Sequence, residues 1–132
     1  MREILFRGKI RGIIDWVYGY YCNNGYADFI LMPSDEEEDN FSIIDRETVG
    51  QYTGLKDKNG VKIFEGDIVR CTDEADEFDI DNSDCGEGVV EWVEKWGFWN
   101  IEKIENGLAD IINYGFVEVI GNIHDNPELL EV

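Results

Sequence analysis

The chain has 132 residues, of which 43% are hydrophobic and 13% aromatic, enough for one domain with a core, read over residues 1–132. Thirty Asp and Glu stand against eleven Lys and Arg, a formal net charge of −19. That sign disfavours direct nucleic-acid binding, which needs Lys and Arg to replace phosphate counterions; no apolar run approaches the roughly 20 residues of a membrane span.

The N-terminal MREILFRGKIRG scatters charges through its apolar residues and lacks the unbroken apolar segment of a signal peptide. Residues 2–14 read as a first strand with a bend at Gly8. Residues 15–21, DWVYGYY, are aromatic and extended, because such side chains suit a pleated, half-buried surface. Asn24-Gly25 predicts a tight hairpin turn, since both residue types tolerate positive φ. A strand over residues 27–32 ends at Pro33. Residues 34–40, SDEEEDN, carry five successive carboxylates from Asp35 to Asp39. Mutual repulsion makes this a solvated loop, without the folded frame that a cation site needs. Residues 41–44 form a short strand, and residues 45–52 a short helical turn or further extended chain.

Residues 49–69, VGQYTGLKDKNGVKIFEGDIV, are the most patterned stretch. Asn59-Gly60 predicts one turn and Glu65-Gly66-Asp67 another, with strands over residues 61–64 and 67–71. Ile63, Phe64, Ile68 and Val69 are candidate core residues. Lys56, Asp57 and Lys58 read as exposed and are where a ligand of this stretch would be sought. Residues 72–87 hold eight acidic residues and read as a second long acidic loop. Within it, residues 79–84, DIDNSD, alternate Asp like the start of a calcium loop. The sixth and twelfth positions hold Asp84 and Val90 where such a loop wants Gly and a bidentate Glu. Residues 88–92 and 96–101 flank a turn at Glu94-Lys95 as an aromatic hairpin. Residues 104–110 are a polar connection, and residues 111–121 hold the last strand. Asn126-Pro127-Glu128 begins at most a short C-terminal turn of helix. Many short strands between turns, with little helix, indicate a mainly β fold, and closing a sheet into a barrel would remove its exposed edges.

The chemistry-bearing residues are sparse. The single histidine, His124, precedes Asp125, but adjacent residues rarely face each other in extended chain. No nucleophile motif such as GxSxG accompanies it, so a structural or exposed His is favoured over a base. Cys22, Cys71 and Cys85 are odd in number and far apart, which indicates reduced thiols in a cytoplasmic protein. A Cys71–Cys85 disulfide across the acidic loop is the alternative. One His and three scattered Cys supply no closely spaced metal-ligand pairs, and no phosphate-cradling motif occurs. No catalytic, cofactor-binding or metal-binding residue is assigned, and no cofactor is expected. Trp92, Trp96, Phe98 and Trp99 read as core or protein contact rather than a base-stacking platform, since only Lys95 and Lys103 lie near them.

Residues 52–69, YTGLKDKNGVKIFEGDIV, resemble the signature of the YopX family of phage and prophage proteins. The opening REILFRGK and the closing VIGNIHDNPELL resemble that family's two ends, so the likeness runs in order over nearly the whole chain. The resemblance implies coiled, bifurcated antiparallel sheets with a small barrel-like part. It implies a protein encoded by phages or prophages of Gram-positive bacteria, with no established biochemical role and no catalytic residues. The motif positions Gly54, Asn59, Gly60, Phe64, Gly66, Asp67, Gly121, Asn122 and Pro127 read as structural, and the two acidic segments lie outside the motif. The expected function is that of an accessory protein in the host cytoplasm, working through contacts with host or phage proteins or through self-assembly as a homo-oligomer. The alternatives are an acidic mimic of DNA that occupies a host nucleic-acid-binding protein, and a carboxylate–metal enzyme.

Overall fold

The structure, a computed structural model, describes residues 4–32, 40–73, 86–95, 97–101, 108, 112 and 115–130. Among these, the strands are β1 (Phe6–Lys9), β2 (Trp16–Asn23), β3 (Asp28–Met32), β4 (Asn40–Ile44), β5 (Gly50–Lys56), β6 (Lys62–Phe64), β7 (Asp67–Asp73), β8 (Gly86–Val93), β9 (Phe98–Ile101) and β10 (Gly115–Asn122). Short 3₁₀ turns occupy Arg46–Thr48 and Pro127–Leu130. The fold is mainly β, as the short alternating runs predict. One sheet has the order β4-β3-β2-β1-β5-β6 and the other β10-β7-β8-β9. The chain divides into two compact units, Met1–Gly54 and Leu55–Val132. No helix among the described residues is long and apolar enough to cross a membrane.

In the first unit, β1 to β4 form an antiparallel meander. The β2–β3 turn is built by asparagine side chains. Asn23 Oδ1 accepts the Gly25 N–H, and Asn24 Oδ1 accepts the N–H groups of Tyr26 and Ala27. Ile30 and Ile44 supply the buried core of one face. The two ends of the meander meet at a single bridge, Ile10 opposite Ile44. There the Arg11 N–H donates to the Ile43 carbonyl and the Asp45 N–H to the Lys9 carbonyl, each at 2.9 Å. One bridge is not a closed barrel, and neither sheet closes into one. Gly8 does not bend the chain as predicted but lies within β1. A Cβ there would stand 2.5 Å from Ile44 Cδ1, so the missing side chain makes room for Ile44 where the sheet curls. The chain turns instead at residues 11–14.

In the second unit, the core is formed by one face of the sheet: Val69, Cys71, Val90, Trp99, Ile101 and Val117, joined by Ile63 and Leu108. Leu108 corrects the expected polar connection over residues 104–110. It is fully buried, and both it and Ile112 are helical and pack on this core. Strands β7 and β8 also claim residues 72–73 and 86–87 from the stretch read as an acidic loop. The rest of that stretch, with the calcium-like residues 79–84, lies outside the described residues, as do Cys85, Trp96, Lys103 and residues 33–39. Cys22 is exposed and Cys71 buried.

Candidate functional site

The central stretch spends its polar side chains on backbone. Asp57, read from the sequence as exposed, is buried at 7% exposure. Its Oδ1 accepts the N–H groups of Asn59 and Val61 at 2.8 and 2.9 Å, and its Oδ2 accepts the Val119 N–H at 3.0 Å. It therefore caps the turn at Asn59-Gly60 and ties that turn to β10, and so is not open to a ligand. The Lys58 N–H adds a bond to the Val117 carbonyl at 2.9 Å, while its ammonium pairs with Glu118 at 3.1 Å on the surface. Lys56 is exposed.

The second turn is built the same way. Asp67 Oδ2 accepts the Phe64 N–H at 2.7 Å with both residues buried. Gly66, at φ 90°, donates its N–H to the Val90 carbonyl and accepts the Ile123 N–H. A side chain would be strained at that φ. Gly54 and Gly60 also have positive φ, 87° and 82°. At the C-terminal end, Asn122 Oδ1 accepts the N–H groups of His124 and Asp125. Asn126 Oδ1 accepts the Asn122 N–H, Gly121 stands against that same side chain, and Pro127 opens the last 3₁₀ turn. Asp125 Oδ2 accepts from Asn122 Nδ2 at 3.2 Å. Among the described residues, no group of three or more His, Cys, Asp or Glu side chains converges as a metal ion would require.

The surface that stands open lies in the first unit. Residues directly opposite in a ladder share a face. The register therefore places Arg7, Lys9, Trp16, Tyr18, Tyr20, Cys22, Phe29, Leu31, Phe41 and Ile43 on one side of the meander. Tyr18, Tyr20, Phe41 and Ile43 are 43%, 54%, 64% and 42% exposed. Phe29 and Phe41 meet edge to face at 5.7 Å between ring centroids. At the β1 side, the Arg7 guanidinium lies 4.7 Å from the centre of the Trp16 ring and the Lys9 ammonium 5.6 Å, within cation–π range. In the second unit Trp92 and Phe98 are also exposed, at 45% and 42%, but they lie on opposite faces of their hairpin and form no shared patch. Trp99 is buried against Trp92, with ring centroids 5.1 Å apart.

At one end of the meander a cleft of about 270 Å³ is lined by Arg11, Tyr26, Asp28, Ile43, Asp45, Arg46 and Glu47, among others. Asp28 is buried there and fully engaged. It accepts from the Tyr21 hydroxyl in a short bond, from Asn23 Nδ2 at 2.8 Å and from Arg46 Nε at 2.9 Å. These bonds, the Tyr21 hydroxyl first, hold its carboxyl at a pKa of about 2. The same contacts push Tyr21 up, chiefly by its bond to Asp28, and push Arg46 up for the same reason. The sequence carries one signal of the open face, the alternation Trp16-Tyr18-Tyr20. It does not carry the pairing of Asp28 with Arg46.

A family model described as YopX protein matches residues 18–131. The chain belongs to the YopX family. The match begins on Tyr18, so it takes in most of the aromatic face as well as the central turns. This YopX chain is similar to the crystal structure of protein EF1440 from Enterococcus faecalis, with 26% identity and a TM-score of 0.61 over 99% of this chain and 100% of that one. No curated protein matches it.

Proposed function

We propose that this YopX chain is a phage or prophage accessory protein that acts in the host cytoplasm through protein–protein contact, a second copy of the chain included, and that the aromatic face of the meander is the contact surface. The observation that carries this is the exposure of Tyr18, Tyr20, Phe41 and Ile43 on one face of the meander, with Phe29 and Leu31 of β3 between them. Aromatic residues are enriched in the cores of protein interfaces, and contiguous apolar patches on a surface mark such sites. A fully exposed ring can bury some 150–250 Å²; Tyr18, Tyr20 and Phe41 are 43%, 54% and 64% exposed, so each has roughly half of that left to contribute to the ~800 Å² per partner that a standard interface removes from water. The polar side chains around the central turns are spent on folding. Mimicry of DNA draws less support. On the outer face of the second sheet, Glu87 is paired with Arg70 and Glu118 with Lys58, which breaks up a phosphate-like row of free charges.

Two measurements test the proposal with the full chain. Capture from infected host cells, run with the parent and with Tyr20→Asp, is expected to yield a partner that the variant loses. Size-exclusion with light scattering reports the second copy. A monomer at high concentration together with capture indifferent to Tyr20→Asp would overturn the proposal.

A further inference from the structure

β4 is an edge strand of its sheet. The bridge to Ile10 fixes which way its backbone points. The Ile43 carbonyl accepts from Arg11 and the Asp45 N–H donates to Lys9, so residues 43 and 45 turn their backbone groups away from β3. Backbone groups alternate in direction along a strand, so those of Phe41 turn away from β3 as well. The Phe41 N–H and carbonyl and the Ile43 N–H therefore have no partner among the described residues. Edges are ordinarily guarded by charge, proline or a bulge. The β4 sequence NFSII has no charge and no proline, and its register against β3 is unbroken. The side chains of Phe41 and Ile43 are also the exposed apolar ones.

We propose that the β4 edge takes up an extended segment of a cationic protein partner as an added strand, with apolar residues of that segment on Phe41 and Ile43 and a Lys or Arg directed to Asp45 and Glu47. This rests on the aromatic face being a contact surface and specifies its partner. Main-chain bonds to Phe41 and Ile43 supply the pairing, and alternate side chains supply selectivity, as in other cases of strand addition. Charge decides the partner's chemistry. A net charge of −19 favours a cationic chain at this edge over a second copy of equal charge. Locally, Asp28 cancels Arg46, which leaves Asp45 and Glu47 against Arg11 in the cleft, one net negative charge. The Asp45 side chain makes no capping bond of its own.

The test titrates the full chain with a fluorescein-labelled decapeptide of alternating valine and lysine, read by fluorescence anisotropy and by amide hydrogen exchange. The expected result is saturable binding that weakens with salt and slows exchange at the Phe41 and Ile43 amides at least tenfold. Phe41→Lys, which leaves the ladder intact, is expected to weaken binding at least tenfold. Ile43→Pro removes the outward N–H together with the Ile43 side chain, without touching a bond to β3, and is expected to do the same. Tryptophan fluorescence shows whether that variant is folded, and Phe41→Lys decides if it is not. Absence of binding, exchange protection elsewhere, or parent-like binding by Phe41→Lys overturns the inference. So does a labelled oligothymidylate that displaces the peptide, or a dimer that Phe41→Lys dissociates. A partner captured from host cells that is lost with Tyr20→Asp but kept with Phe41→Lys overturns the edge and leaves the contact face standing. Capture indifferent to both removes the contact face itself.

Discussion

Replacing Asp57 by Ala removes one carboxylate that holds three backbone N–H groups at 2.8, 2.9 and 3.0 Å. The three donors do not lose equally. Asn59 and Val61 are exposed, so water takes over their N–H groups and each lost bond costs about 0.5–1.5 kcal/mol. Val119 is half-buried, and its N–H left without an acceptor costs about 1–3 kcal/mol. The expected loss is about 4 kcal/mol, a large share of the 5–15 kcal/mol that holds a typical domain together. The assay is urea unfolding followed by tryptophan fluorescence. Asp57→Asn keeps one acceptor oxygen but sets an amide against a backbone donor, and is expected to lose about half as much. Lys58→Ala removes a surface ion pair and serves as the control, with an expected change under about 1 kcal/mol. An Asp57→Ala stability within about 0.5 kcal/mol of the parent would refute the assignment of Asp57 as the cap that ties the turn to β10.

Two further outcomes follow from the geometry. The Asp28 carboxyl is lowered from 3.8 to about 2 in the folded chain, so its contribution is present above pH 4 and is lost as pH falls from about 4 to about 2. The stability gap between the parent and Asp28→Asn, measured by urea unfolding against pH, is expected to close over that window; a gap constant from pH 5 to pH 2 would show that the network does not favour the ionised form. At Gly121, an added Cβ would lie 2.6 Å from Asn126 Oδ1, which bonds the Asn122 N–H at 3.2 Å. Gly121→Ala is expected to lose about 1–3 kcal/mol, and Gly121→Ala with Asn126→Ala less than the sum of the two single changes.

Much of the strand layout is legible in the sequence because alternation and Asn-Gly turns are local signals. Asn24-Gly25 and Asn59-Gly60 fall where they predict turns, and the strands on either side follow. The failures are of another kind. Asp57, between Lys56 and Lys58, has the charge density of a solvated turn, yet Asp at the start of a turn is also the residue that bonds its own backbone two residues on. Gly8 looks like a bend because the need for space beside Ile44, 36 residues later (44 − 8), leaves no mark near it. Leu108 follows Glu105-Asn106-Gly107 and precedes Asp110 by two residues, so the stretch reads as polar, and its place against the second sheet shows that it is core. Residues 15–21 read in the sequence as aromatic and extended, and no further. Which side of the meander would remain uncovered depends on the register of β2, β3 and β4 and on the curl of the sheet, and neither is written in β2 itself.

The Ile10–Ile44 bridge also sets an order of assembly. The β2–β3 and β3–β4 pairings join strands that are neighbours in the chain, and such hairpins form in roughly 1–10 μs. The bridge joins residues 34 apart (44 − 10), and Phe6 meets Gln51 across 45 (51 − 6), so both must close a longer loop before they gain anything. The meander therefore zips first and is laced to its own beginning last. Among the described residues two backbone bonds make that lacing, those of the Arg11 and Asp45 amides. In native-state hydrogen exchange these two amides are expected to open ahead of the β2–β3 ladder.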